Sequence, residues 1–242
     1  MIAEFGLRIA DCSLSIALNS IRQRIAAACH RSGRNETDIT LIAVSKTVAA
    51  ERVQEAIAAG LTLFGENRVQ EAETKIAQLA DMRSQLEWHL IGHLQSNKAR
   101  KAVTLFDAVQ SVDDENLATR LHRMAEEVGK RLPVFIEVRL GDEASKTGVA
   151  SNEALALIDK VSQLASLELK GLMTVPPFLD HPEDVRPFFR QLRELRDEAQ
   201  CLGIAAATCM HLSMGMSHDF EVAIEEGATL VRIGTALFGA RA

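Results

Sequence analysis

Lys46 closes the apolar run Leu41-Ile42-Ala43-Val44-Ser45, and its type and place raise the first chemical possibility. An amine at the end of such a run has its charged form disfavoured, which exposes a lone pair able to condense with a carbonyl group. A solvated lysine and a simple phosphate contact are the other readings its position allows. Two further segments, Ser213-Met214-Gly215-Met216-Ser217 and Ile233-Gly234-Thr235, each lead into a helical stretch. Their backbone N–H groups, hydroxyls and glycines suit a phosphate, with ordinary capping turns as the alternative. Neither carries the Walker A spacing, so a nucleoside triphosphate is not indicated. Arg232 stands among Leu230, Val231 and Ile233, where a buried charge requires either a carboxylate partner or a functional role. His89 and His93 are four apart, but on a strand they would stand far from one another. No third ligand is near, so they read as structural or ring-contact residues and no metal site is expected.

The elements that must position these residues alternate. After a helix over Cys12–Cys29, short apolar runs precede helical stretches eight times. The strands are predicted at Ile39–Val44, Leu61–Phe64, Leu86–Ile91, Ala108–Val112, Val134–Leu140, Leu167–Met173, Cys209–Ser213 and Thr229–Ile233. Helices are predicted at Ala50–Ala59, Val69–Leu79, Ser96–Val103, Glu115–Val128, Asn152–Leu164, Asp184–Leu202 and Asp219–Glu226, with a short one after Ile233. Continuous apolar strands between helices indicate a parallel sheet covered on its outer face. Eight such units predict an α/β fold with a single (β/α)8 TIM-type barrel and an extra N-terminal helix, one domain across residues 1–242. A Rossmann sheet is disfavoured because no G-x-G-x-x-G follows the first strand. Gly60 and Gly227 each fit a left-handed helix end, and Asp180-His181-Pro182-Glu183 has capping-box spacing, with Pro187 moving the true helix start onward. In a parallel barrel the site lies at the strand C-termini, where Lys46, Asn67, the segment 141–148, Thr174-Val175-Pro176-Pro177, Ser217 and Thr235 all fall. Met173, Met214 and Met216 read as gap-fillers in the barrel wall.

Composition excludes several classes. The sequence has 242 residues and a net charge of −6, which argues against a general nucleic-acid binder. Its four cysteines form no C-x-x-C pair and read as reduced thiols of a cytoplasmic protein. Charges at Glu4, Arg8 and Asp11 break any signal-peptide core, and no apolar run is long enough to span a membrane. No heptad or apolar interface segment demands a dimer, so a monomer is expected.

At these residues the sequence resembles the pyridoxal phosphate homeostasis protein family, which is similar to the N-terminal barrel domain of alanine racemases. Six segments carry the resemblance in order along the chain: Ala43–Thr47, Phe64–Glu71, Trp88–Lys98, Lys170–Met173, Leu212–Ser217 and Val231–Thr235. The resemblance implies pyridoxal 5′-phosphate (PLP) as cofactor, held as a Schiff base on Lys46. It implies Arg232 at the pyridine nitrogen and Asn67 beside the ring face. Ser213, Met214, Gly215, Ser217, Gly234 and Thr235 would bind the cofactor, with the serines, Gly234 and Thr235 gathered at its phosphate. The segment Glu143–Gly148 resembles the family's Ser-Lys-Ser-Gly loop, with Thr147 in place of the usual serine. Val138-Arg139-Leu140 likewise replaces the more common Val-Asn-Ile.

Three functions compete: a PLP-binding protein that buffers or delivers the cofactor, an amino-acid racemase, and a Schiff-base aldolase or other phosphate-binding barrel enzyme. Racemisation as in alanine racemase needs a second base, there a tyrosine of a C-terminal β domain. This sequence ends just after the eighth unit and contains no tyrosine. An arginine at the ring nitrogen also weakens the ring as an electron sink. The expectation is therefore PLP homeostasis without catalytic turnover, with PLP-dependent apoenzymes as possible recipients. Lys146 is a candidate second amine for release, although a solvated loop lysine is the favoured reading.

Overall fold

The computed structural model describes residues 2–141, 147–204, 209 and 211–239, with side chains from Ser13 onward. A long helix α1 (Ile2–Ser32) leads into β1 (Thr40–Val44), α2 (Ala50–Ala58), β2 (Leu63–Glu66), α3 (Val69–Gln78) and β3 (Glu87–Leu90). There follow α4 (Ala99–Leu105), β4 (Ala108–Val112), α5 (Glu115–Glu127), β5 (Leu132–Arg139) and the two-residue β6 (Val149–Ala150). The chain continues through α6 (Ser151–Ser162), β7 (Leu167–Met173), α7 (Arg186–Cys201), β8 (His211–Met216), α8 (Phe220–Glu225), β9 (Leu230–Ile233) and α9 (Thr235–Phe238).

All pairings are parallel, and the sheet runs β4-β3-β2-β1-β9-β8-β7-β5, with β4 also pairing β5. That last pairing closes eight strands into the predicted barrel, while β6 extends only the edge of β5. Helices cover the outside because each carries one apolar stripe. In α5, Leu117, Ala118, Leu121 and Ala125 are buried at helical spacing, and the Asp114 carboxylate caps the helix by accepting from Leu117 N–H at 2.7 Å. Inside the barrel, a separate cluster of Ile42, Leu63, Phe135, Met173 and Leu230 fills the space, one residue from each of five strands.

Three irregularities shape the sheet, the first between β4 and β5, where Val109 pairs with Val134 but Val112 with Ile136. Val134 pairs with Leu169 but Phe135 with Gly171, so Lys170 bulges out of register. A Cβ on Gly171 would lie 1.9 Å from the His211 carbonyl oxygen, so only glycine permits this strand contact. Between β8 and β9, Ser213 pairs with Leu230 and Met216 with Arg232, which places one extra residue in the Met214-Gly215 segment. Gly60 and Gly227 end their helices with φ of 91° and 106°, as their sequence context predicts.

Some boundaries differ from expectation. The first helix extends well beyond Cys12–Cys29 at both ends, and α4 is preceded by a 3-10 turn at Ser96–Lys98. The Asp180 capping box does not form; His181 is the N-cap of a 3-10 turn, Pro182–Val185, and α7 starts at Arg186 with Pro187 in its first turn. Cys209 precedes β8 rather than opening it. The described cysteines, Cys29, Cys201 and Cys209, are free thiols. No described helix is long and apolar enough to cross a membrane.

Candidate functional site

At the C-terminal mouth of the barrel lies a cleft of about 890 Å³. Lys46, Asn67, Ser217, Arg232, Gly234 and Thr235 line it together, although they come from four separate βα units. The strand-end rule brings them to one place: a parallel barrel presents every βα loop at the same rim.

Lys46 sits on a four-residue turn closed by Val48 N–H to the Ser45 carbonyl at 3.0 Å. Thr47 within it has a φ of 63°, the left-handed region that a β-branched residue rarely enters. Its N–H donates to Glu71 Oε1 at 2.5 Å, which anchors the strained backbone beside the lysine. Beneath the turn is a buried ion pair, Lys75 Nζ to Glu66 Oε1 at 2.5 Å, and Lys75 also donates to the Ser45 carbonyl at 2.6 Å. Ser45 Oγ donates to the same Glu66 oxygen at 2.7 Å. Burial pushes the Glu66 carboxyl pKa up, against the opposing pull of Lys75 and Ser45. The β1 end that carries Lys46 is thus held rigidly from below. Gly92 fixes the neighbouring loop, since a Cβ there would lie 2.4 Å from the Asn67 carbonyl oxygen.

Arg232 is buried, with 4% of its surface exposed, yet it reaches the cleft wall. Its guanidinium donates to the Ser213 carbonyl at 2.6 Å, to Ser213 Oγ at 2.7 Å and to the Thr174 carbonyl at 2.7 Å. Among the described residues no carboxylate pairs with it directly. Burial pushes its pKa down to about 10, with Glu137 and Asp219 opposing at longer range. The structural ion pair that the sequence left open is therefore not formed among the described residues, and Arg232 lines the cleft.

Ser213, Met214 and Gly215, expected beside a phosphate, lie elsewhere than the cleft wall. Ser213 and Met214 are fully buried: the first holds Arg232 and the second belongs to the core under the helices. Gly215, at φ 90°, lets α8 approach, for its Cβ would meet Ala223 at 2.6 Å and the Phe220 backbone at 2.9 Å. The bulge in β8 explains the displacement, because the extra residue pushes the cleft-facing position on to Met216 and Ser217. Met216 therefore lines the cleft instead of filling the wall. Ser217 Oγ accepts from Ala236 N–H at 3.2 Å and so ties the two expected phosphate loops together.

Sequence reasoning missed several polar residues buried in the barrel. Gln110, Glu137 and Ser111 are buried inside strands, the same anomaly that singled out Arg232. Glu137 accepts from Thr147 Oγ1 at 2.8 Å, its other oxygen has no partner among the described residues, and burial pushes its pKa up. Asp113 is shifted the same way by burial, with His93 Nδ1 at 3.7 Å from its carboxylate. His89 is buried and His93 exposed, so the pair serves two different surroundings. No group of three His, Cys, Asp or Glu among the described residues could hold a metal ion. At the rim, Phe178 packs on His218 with ring centroids 5.1 Å apart; an aromatic residue in the loop after β7 was the available signal. Lys146 lies outside the described residues.

The family described as alanine racemase, N-terminal domain, matches residues 16–242. The pyridoxal phosphate homeostasis protein of Aquifex aeolicus is 48% identical over 224 residues, covering 93% of this chain and 96% of that protein. The chain belongs to the pyridoxal phosphate homeostasis protein family. PipY of Synechococcus elongatus, solved with PLP bound, superposes with a TM-score of 0.80 at 42% identity, covering 90% of this chain and all (100%) of that one. Alanine racemase of Clostridium difficile 630 shares the barrel with a TM-score of 0.71 at 17% identity, covering 95% of this chain and 57% of the racemase. That more distant likeness is one of fold.

The donor set of this member of the family fits PLP. A basic amine, a donor-only guanidinium without a direct carboxylate partner among the described residues, and hydroxyls on two adjoining loops match an aldehyde, a ring nitrogen and a phosphate in turn.

Proposed function

We propose that this chain binds PLP through Lys46 and takes part in cytoplasmic PLP homeostasis, as a buffer or delivery protein, acting as one barrel domain across residues 1–242. The observation that carries the proposal is the convergence of Lys46, Arg232, Ser217 and Thr235 on one cleft. The cofactor supplies an aldehyde, with which the lysine amine condenses to a Schiff base and releases water. Asn67 stands at the ring face, and Ser217, Gly234 and Thr235 hold the phosphate. Ser213 supports Arg232 from behind, while Met214 and Gly215 shape the β8 bulge that places Ser217.

Arg232 argues for holding the cofactor rather than turning over a substrate with it. A guanidinium can only donate, so the pyridine nitrogen it meets must accept and remain unprotonated. That arrangement weakens electron withdrawal by the ring and suits carriage better than carbanion chemistry. Recipient apoenzymes are the natural partners of such a carrier.

Purified wild-type protein loaded with PLP is expected to absorb as a yellow species, and borohydride reduction should fix the cofactor on the peptide that contains Lys46. Lys46→Ala should lose both. Equal colour and equal fixation in the variant would overturn the assignment. Amino-acid racemase turnover that depends on Lys46 would overturn the non-catalytic reading alone.

A further inference from the structure

One hydrogen-bond chain leaves Arg232 and crosses the barrel interior to its floor. Arg232 Nη1 meets Ser213 Oγ at 2.7 Å, and Ser213 Oγ meets Gln110 Oε1 at 2.6 Å. Gln110 Nε2 meets His89 Nδ1 at 2.7 Å, and His89 Nε2 meets Glu87 Oε1 at 2.7 Å. The strands involved are β9, β8, β4 and β3, and the Ser213–Gln110 bond joins strands that are not neighbours in the sheet. Ser213, Gln110, His89 and Arg232 are all buried, while the Glu87 side chain, at the start of β3, is 56% exposed.

The direction of every bond follows from its cationic end. A guanidinium has no acceptor, so Ser213 Oγ accepts from it and gives its single proton to Gln110. Gln110 must then present its oxygen to Ser213 and its NH2 to His89. His89 Nδ1 accepts, so the ring proton resides on Nε2 and points at the Glu87 carboxylate. The hydrogen bond from His89 also holds the Glu87 pKa below the usual carboxylate range, as an ionised acceptor requires. A positive end at the cleft and a negative end at the floor polarise the chain in one sense.

We infer that Gln110 and His89 are positioning residues that aim Arg232 at its ligand, with Glu87 as their anchor. Held at Nη1 by Ser213 and at Nη2 by the Thr174 carbonyl, the guanidinium is locked in rotation about its long side chain. Remove the relay and Ser213 Oγ loses the acceptor that orients its proton, which leaves Arg232 with a rotatable hydroxyl. This inference rests on the proposed PLP site for its functional consequence, but the orientation itself is a property of the cofactor-free protein.

The experiment has two arms on the full chain. In cofactor-free protein, nitrogen-15 NMR of the histidine rings should show His89 as the neutral Nε2–H tautomer. Ser213→Ala, which removes the hydroxyl that sets the direction, should mix the two tautomers at His89, two residues along the relay. In the second arm, Gln110→Leu and His89→Phe should weaken PLP binding about tenfold, the scale of one lost buried hydrogen bond. His89→Gln, which can still accept from Gln110 and donate to Glu87, should restore it, and borohydride should fix PLP on Lys46 in every folded variant. An Nδ1–H or mixed tautomer in the wild type, or a tautomer unmoved in Ser213→Ala, overturns the relay. So does equal PLP affinity in all variants, or failure of His89→Gln to rescue. Absence of PLP from the wild type sinks the cofactor reading instead, with the tautomer arm still deciding the relay; that arm also stands if Gln110→Leu fails to fold.

Discussion

Charged side chains buried in this barrel are matched with different degrees of completeness. Glu66 has a cationic partner, Lys75, on one oxygen, whereas Glu137 has only a hydroxyl on one; among the described residues the second oxygen of each has no partner. Burial raises the Glu137 pKa despite the pull of Thr147 and Arg232, so the ionised form is disfavoured in the fold. Between the ordinary carboxylate pKa near about 4.3 and the raised value, the native protein keeps a proton that the unfolded chain has released. Its contribution to stability is thus present below that window and is lost as pH rises through it. Glu137→Gln, a neutral substitute of the same shape, should raise the melting temperature at pH 7 and flatten the decline between pH 4.5 and 7. Thermal melts of both proteins across that range check this. A parallel decline in the variant would show that Glu137 is not the titrating group.

At the scale of elements, the close approaches made by glycines decide where strands and loops sit. Gly171 is the tightest, since its Cβ would overlap the His211 carbonyl, a backbone atom that cannot swing aside. Gly129 also has a positive φ, 64°, but nothing lies within 4 Å of its Cβ position. Gly129→Ala should therefore cost only the left-handed penalty of about 1–2 kcal/mol. Gly171→Ala must separate β7 from β8 and should cost more, at least about 3 kcal/mol, with the Ser213 support of Arg232 disturbed as well. Urea unfolding of the two variants compares them directly. Equal losses would mean that the strand contact at Gly171 is soft.

For the whole molecule, α1 is the addition that binds the barrel's last units together. Its buried face, Leu14, Leu18, Ile21, Ile25 and Ala28, packs against α8 and α9, the helices that follow the cleft-bearing strands β8 and β9. Arg24 meets Glu221 at 2.7 Å and lies 4.5 Å over the Phe220 ring, and Arg31 meets Glu225 at 2.6 Å. Glu225 and Glu226 also engage Arg186 of α7, so one ion-pair network spans α1, α7 and α8. Ile21→Ala should cost about 2–5 kcal/mol, the range for truncating a buried isoleucine. The single tryptophan, Trp88, reports on β3, away from α1. Coincident urea transitions by Trp88 fluorescence and far-UV circular dichroism are expected for a helix integral to one cooperative unit. An early helical transition in the variant, with Trp88 unaffected, would make α1 a separate module.

The linear order of residues by itself determined the βα alternation, the barrel class, the left-handed helix ends at Gly60 and Gly227, and the strand-end loops from which the cleft is lined. Those properties are local: hydrophobic period, glycine conformation and strand ends are written within a few residues of one another. The motifs Ala43–Thr47 and Val231–Thr235 singled out Lys46 and Arg232, both of which line the cleft. Only the tertiary structure decided that Ser213 faces inward to hold Arg232, because a single extra residue in the β8 bulge changes which face each side chain takes. It alone decided that Gln110 and His89 belong to the same chain of bonds, since Ser213 and Gln110 meet across a closed barrel 103 residues apart. Contacts of that kind depend on strand closure and register, which no short stretch of sequence encodes.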